Sequence, residues 1–341
     1  MSINYILINN NTEYQIGDGT LGGGISGILL PNTNLIIDNT HNDLPVTTIS
    51  EYAFQNISNL DTIYIPKNIT NIHNQGLCVN SSLIKFIVDN DNNYYYSDDN
   101  GILYNKNIST LYIYPPNCEL SIYHIPNTII NIAYCAFIMC NNLTEIYFSK
   151  PVIFENNTYG FYLCNNLKKI ILSEQQEIIP YYFLTKCPSI KNIIIPASVN
   201  KLCLYAFVQT GLINITFNGA PPMILDTNND EYIGDDPVFF ENLSLKNIYY
   251  YYQYKNEWTN NLFWIPIDVK LRMISNSNIL MIRKNNYTKF IFGYQGKIII
   301  LYKKNNNNTN INTNNYIIDN KTKISIIDAS YFNIILKYII Y

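Results

Sequence analysis

The sequence predicts a solenoid of stacked coils, of α/β type or mostly β, in which each coil adds a short strand and a short helical turn, with a β-rich tail after the last coil. Three observations carry that expectation. Between Leu44 and Tyr250 one pattern recurs about seven times: an aliphatic residue, a Phe or Leu about five later, a Leu about six beyond it, then two apolar residues at L-x-x-I-x-I spacing. The Phe slots of the first six copies lie 22 to 24 residues apart, except where an insertion separates Leu77 from Phe137. The last residues of each copy alternate, so Ile63 and Ile65 face one way and Tyr64 the other, which is the strand period. One coil cannot bury its strand and its turn alone, but stacked neighbours bury both.

Residues 1–43 are expected to cap the first coil, since a terminal coil otherwise exposes core. Within them Gly17 to Gly22, GDGTLG, matches G-x-G-x-x-G literally. Gly23, Gly24, Gly27 and Pro31 follow, which no helix tolerates, so a turn is expected there and not a nucleotide cradle.

The repeats then run from 44 to 267. The first copies hold Ile49, Phe54, Leu60, Ile63 and Ile65, then Ile72, Leu77, Leu83, Phe86 and Val88, then Ile132, Phe137, Leu143, Ile146 and Phe148. A fourth holds Phe161, Leu167, Ile170 and Leu172, with its first slot failing at Asn156. Ile178, Phe183, Ile190, Ile193 and Ile195 form the fifth, and Leu202, Phe207, Leu212, Ile215 and Phe217 the sixth. A weaker seventh holds Phe240, Leu245, Ile248 and Tyr250. This period is that of a leucine-rich repeat solenoid. The A-F segment of each copy is too short for a full helix, so it is expected on a helical or 3₁₀ turn whose Phe plugs the core.

Residues from about 89 to 122 interrupt the array and are expected to form a hairpin insertion. Tyr254, Trp258, Phe263 and Trp264 are expected to close the far end with their rings. From 268 to 341 the pattern changes: ILMIRKNNYTKFIFGYQGKIIILYKK alternates and breaks at Gly293 and Gly296, which suggests strands and a hairpin. An Asn-rich linker, Asn305 to Asn315, precedes a last apolar stretch.

The segments Ile49 to Pro66, ISEYAFQNISNLDTIYIP, and Ile132 to Phe148, IAYCAFIMCNNLTEIYF, share one wording with Ile193 to Phe207, IIIPASVNKLCLYAF. This wording resembles the BspA-like leucine-rich repeat proteins. The resemblance extends to the insertion, Asn93 to Pro115, NYYYSDDNGILYNKNISTLYIYP, and to the closing NGAPP of Asn218 to Pro222 and YKNEWTNNLF of Tyr254 to Phe263. It implies the solenoid fold and, as the family's usual associations, adhesion and protein binding. Fold alone does not fix function.

Composition narrows the function classes. Charged residues make up 14% of the 341 residues and the net charge is −3, so the basic footprint of a nucleic-acid binder is missing. Seven cysteines show no pairs at metal spacing. Cys140, Cys164 and Cys187 each stand three residues before the Leu slot and are expected as small buried hydrophobes stacked at one repeat position, disulfides between neighbours being the other reading. Asp89, Asp91, Asn93 and Asp226, Asn228, Asp230 open like calcium loops, but Tyr94 and Glu231 replace the required Gly and no Glu closes either loop. His41, His73 and His124 form no metal or nucleophile motif, and His73 and His124 are expected on repeat surfaces. No cofactor, metal or catalytic group is therefore expected, and the protein is not expected to be an enzyme. The N-terminus lacks a secretion signal and no run reaches membrane-spanning length, so an intracellular location is expected, with the cell surface as the alternative.

The outward residue between each core-facing pair carries the functional expectation. Tyr64, Ile87, Tyr147, Ile171, Ile194, Thr216 and Tyr249 would form an apolar and aromatic stripe on the order of 29 Å long at about 4.8 Å per rung. Thr62, Lys85, Glu145, Lys169, Asn192, Asn214 and Asn247 would be its polar rim. The expected function is a non-catalytic scaffold that binds a protein through this face or the insertion. An adhesin binding glycan or matrix is the alternative, and an enzyme carried on the tail a third.

Overall fold

Each copy of the repeat folds into two strands and not into a strand and a helical turn. The computed structural model describes the chain except at residues 1, 27–32, 56, 58, 74, 79–80, 156–158, 226–237, 240, 260–264, 267, 275–279, 285–286, 295–296, 305–323 and 329–341. The chain forms two compact units, residues 1–250 with 256–272, and residues 251–255 with 273–341.

In the first unit the L-x-x-I-x-I segments build one column of parallel strands. Thr33–Ile36, Leu60–Ile65 and Lys85–Val88 pair in register, as do Ile122–Ile125, Glu145–Phe148 and Lys169–Ile171, and then Asn192–Ile195, Asn214–Phe217 and Asn247–Tyr251. The aliphatic first slots build a second column. Leu44–Ile49 pairs with Asn71–Ile72, then Thr110–Ile113 with Asn131–Ile132 and Ile153–Phe154, then Ile178–Ile179 with Lys201–Cys203 and Met223–Leu225.

The helical turn expected around each Phe is absent among the described coils, and the backbone gives the reason. Tyr52, Met139, Leu163, Tyr182, Tyr205 and Gln209 lie within three residues of a core Phe and take φ between 50° and 59°. A residue at positive φ cannot continue a right-handed helix. The β-branched slots Ile49, Ile72 and Ile132 meanwhile pair as strands.

Two first slots shift from the sequence reading because the loop between first slot and Phe varies in length, and one Phe slot shifts as well. Phe154, opposite Ile132, fills the fourth first slot, and Asn156 lies outside the described residues. Ile179, opposite Leu202, fills the fifth, while Ile178 is 40% exposed. A one-residue slip along a strand exchanges its faces. In the seventh copy Phe239 stacks on Phe207 at 5.6 Å, whereas Phe240 lies outside the described residues.

The Phe column is the core. Phe54, Phe137, Phe161, Phe183 and Phe207 are fully buried, and Phe137, Phe161 and Phe183 follow one another with ring centroids 4.9 and 5.6 Å apart. Each such side chain stabilises the fold by roughly 1.5–3 kcal/mol through area removed from water. Backbone bonds join the turns beside these rings from coil to coil, as from Phe161 N to Phe183 O at 2.8 Å and from Leu184 N to Ala206 O at 2.8 Å. The buried thiols extend this ladder: Cys164 Sγ donates to Phe137 O and Cys187 Sγ to Phe161 O, both at 2.9 Å, and Cys140 Sγ to Tyr114 O at 3.5 Å. Burial pushes the ionisation of Cys164 and Cys187 well above the usual thiol range. A disulfide outside this ladder joins Cys78 to Cys135, with Cα atoms 5.8 Å apart.

The insertion is an antiparallel meander that fills a gap in both columns. Tyr95–Ser97 pairs with Leu103–Asn105, which pairs with Thr110–Ile113. Asn92 has no exposed surface. Its Nδ2 donates to Pro66 O and Ile69 O, while its Oδ1 accepts from the backbone N–H groups of Tyr94 and Tyr95 at 2.8 Å. The Tyr95 hydroxyl accepts from Ile72 N at 2.9 Å, and Gly101 O from Phe86 N at 2.9 Å.

Both columns are interrupted once more, between the same two coils. The first stops at Lys169–Ile171 and resumes at Asn192–Ile195, and the second stops at Ile153–Phe154 and resumes at Ile178–Ile179. Pro180 stands at the rung position from which Glu155, one coil earlier, donates its N–H to Ile132 O, and proline has no N–H. Gln176 bridges the break with its side chain, accepting from Val152 N and donating to Val152 O, both at 3.0 Å.

At the start of the unit, Gly24 N donates to Ala53 O at 2.9 Å, and a Cβ on Gly24 would lie 2.8 Å from that oxygen. Gly17, Gly19 and Gly22 all have positive φ, the turn expected there. At the far end Trp258 is fully buried, stacks on Tyr250 at 5.6 Å and donates Nε1–H to Gly219 O at 3.1 Å. Phe263 and Trp264, expected beside it, lie outside the described residues. The second unit holds a four-stranded antiparallel sheet in the order Leu280–Lys284, Tyr287–Tyr294, Lys297–Lys304 and Ile324–Asp328.

Candidate interaction face

Strand alternation sends every second side chain of the first column outward, and register decides which of these meet. Tyr64 lies opposite Ile87, Tyr147 opposite Ile171, and Thr216 between Ile194 and Tyr249. The pairing adds two members that the repeat pattern missed. Ile36 lies opposite Tyr64, and His124 opposite Tyr147. Neither strand is preceded by the A-F wording, and their own alternation, NLI and YHI, was the only available signal.

Ile36, Ile171 and Ile194 are 65%, 39% and 44% exposed, so the column carries large apolar side chains in solvent. Tyr64, Ile87, Tyr147, Thr216 and Tyr249 are half-buried. The seven expected residues do not form one hydrogen-bonded column. The insertion parts Ile87 from His124, and the second interruption lies between Ile171 and Ile194.

At the centre of the face side chains hold one another. His124 stacks on the Tyr147 ring at 4.5 Å with the planes 12° apart. The Tyr147 hydroxyl donates to Glu145 and accepts from Lys169 Nζ at 2.5 Å, while Lys169 Nζ also meets Glu145 Oε2 at 3.2 Å. Burial opposes the Lys169 charge, but the hydrogen bonds to Tyr147 and Glu145 outweigh it and hold its ionisation above the usual lysine value. Tyr147 is thus held in one orientation before anything binds.

The rim is polar along most of its length. Asn214 Nδ2 donates to Asn192 Oδ1 and Asn247 Nδ2 to Asn214 Oδ1, both at 2.8 Å, and Arg272 Nε donates to Asn247 Oδ1 at 3.1 Å. Lys85 is exposed, whereas Thr62, on the same outer face, is 4% exposed, flanked on neighbouring strands by Asn34 and Lys85.

Apart from His124, the other described residues singled out in the sequence as candidate ligands or catalytic groups lie off this face. Asp89 Oδ1 accepts from Asp91 N at 2.9 Å and shapes the entry of the insertion, whereas 226–237 lie outside the described residues. His41 stacks on Tyr5 at 4.2 Å, and His73 and His124 are both exposed. Among the described residues no group of three or more His, Cys, Asp or Glu is arranged to hold a metal, and no helix is long and apolar enough to cross a membrane.

Residues 32–114 and 112–226, more than half of the chain, match the BspA type leucine-rich repeat region in six copies. Among curated proteins, none matches the sequence. Among solved structures, the pneumococcal vaccine antigen PcpA is similar with a TM-score of 0.54 and 21% identity, covering 69% of this chain and 56% of that one. A leucine-rich cell surface protein from Faecalibacterium prausnitzii is similar with a TM-score of 0.53 and 21% identity, covering 66% of this chain and 61% of that one. Each match spans less than two thirds of the other protein's structure.

Proposed function

The chain belongs to the BspA-type leucine-rich repeat family, and from that premise we propose that it is a non-catalytic scaffold that captures a protein partner on the outer face of its first strand column. One observation carries this reading. Large apolar side chains stand in solvent on that face, with Ile171 beside a tyrosine already fixed by Glu145, Lys169 and His124 and with Ile36 and Ile194 farther along. Exposed apolar surface of this kind marks interaction sites, and a preorganised aromatic loses little freedom on binding. Replacing Tyr64, Tyr147 and Ile171 with Ser is expected to leave the melting transition in place and to abolish capture of the partner in affinity pull-down with mass spectrometry. Undiminished capture by the triple variant would sink the reading.

A second reading, an adhesin at the cell surface with a glycan or matrix ligand, is favoured by the Cys78–Cys135 disulfide. Such bonds persist in oxidising compartments and are rare in the cytosol. One structural neighbour is described as a cell surface protein. Alkylation of protein drawn from its own cells separates the two locations: an exported chain keeps Cys78 and Cys135 protected, and a chain held in a reducing cytosol exposes both thiols.

A further inference from the structure

In six coils a residue one to three positions before the core Phe or Leu is Tyr52, Gln75, Tyr134, Tyr159, Tyr182 or Tyr205. Four of the rings form a continuous ladder, with centroids 6.2 Å apart from Tyr134 to Tyr159, 4.9 Å from Tyr159 to Tyr182 and 5.4 Å from Tyr182 to Tyr205. At Gln75 the series lacks a ring. There the surface opens into a cavity of about 320 Å³ lined by Glu51, Asn71, Ile72, His73, Gln75 and Tyr134. The Tyr52 hydroxyl, one coil earlier, faces the Glu51 carboxylate, which pushes its ionisation up, and the Gln75 amide.

The lining has a definite chemistry. Glu51, Asn71, His73 and Gln75 are planar polar groups that together donate and accept hydrogen bonds in several directions. Ile72 is buried and floors the cavity, and Tyr134 supplies a half-buried ring as one wall. An apolar or aromatic guest would desolvate the four polar groups without replacing their hydrogen bonds with water, which is costly. A pyranose carries hydroxyls around its rim and an apolar C–H face, so it can satisfy the polar groups while lying against the ring. The Glu51 carboxylate disfavours an anionic sugar. We propose that this cavity binds a neutral pyranose, seated where the tyrosine series lacks its ring. The proposal deepens the adhesin reading, on which it rests, by naming the ligand class. Failure of sugar binding would leave the alkylation test of location standing.

Saturation-transfer NMR on the full chain tests it, with the methyl glycosides of glucose, galactose, mannose and N-acetylglucosamine as probes and N-acetylneuraminic acid as the anionic comparison. Transfer to at least one neutral glycoside is expected, with none to the anionic sugar. Gln75→Tyr fills the cavity with a ring and abolishes the transfer, while Glu51→Ala removes a charged hydrogen-bond partner and weakens affinity about tenfold. A melting curve establishes that Gln75→Tyr is folded, and if it is not, Glu51→Ala decides. Silence from every neutral glycoside, or transfer that survives in a folded Gln75→Tyr chain or at full strength in Glu51→Ala, would overturn the proposal.

Discussion

Gly19 and Gly101 share nearly the same backbone angle, φ +85° and +77°, yet their surroundings differ. A Cβ on Gly19 would meet nothing within 4 Å, whereas one on Gly101 would lie 2.1 Å from Lys85 Cβ and 2.7 Å from its Cα. The left-handed conformation costs a non-glycine residue about 1–2 kcal/mol at either site. Overpacking against the Lys85 backbone adds about 1–3 kcal/mol at Gly101 alone. In urea unfolding, Gly101→Ala is therefore expected to destabilise by roughly 3 kcal/mol and Gly19→Ala by about 1 kcal/mol, and equal losses would contradict the close approach. The sequence could reveal a glycine-led turn at Gly101 but not its neighbour, because Lys85 reaches it through tertiary packing. The outward residues from Tyr64 to Tyr249 were legible from alternation alone. Ile178 misled because two adjacent isoleucines fit the slot equally well, and pairing with Leu202 selects Ile179.

At the scale of elements, the long strands were legible and the short ones were not. Asn71–Ile72 and Asn131–Ile132 have two residues each, too few to show a period, and they exist as strands only because neighbouring coils pair with them. Ile122–Ile125 escaped notice as a coil because the insertion supplies its turn and no Phe precedes it at the expected distance. The Cys78–Cys135 bond was also out of reach, since spacing cannot give connectivity across a separation of 57 residues. It ties the coil before the insertion to the coil after it. By loop-closure entropy a crosslink of this span contributes about 4 kcal/mol. Cys78→Ser with Cys135→Ser is expected to lose about that much in denaturant unfolding under oxidising conditions, and a variant as stable as the parent would show that the insertion needs no clamp.

Across the first unit, stability is a sum over neighbouring coils, so its weakest interface and not its average decides where it opens. Repeat period and core composition predicted the stack, but they could not predict that its interfaces are unequal. In the second column that inequality coincides with Pro180, an ordinary residue in composition that removes one donor at one rung. Between the coils of Phe161 and Phe183 both strand columns are interrupted, and the coils remain joined by the turn ladder, the Cys187 thiol and the Gln176 side chain. Mechanically, this interface is a score line. If the unit is held at its two ends and pulled along its axis, it is expected to part there first, into halves that each keep their own sheets. Single-molecule stretching with Gln176→Ala should lower the force of that first rupture, while an unchanged rupture force would place the weak interface elsewhere. A protein that grips a partner along its whole face would then let go from the middle outward under load.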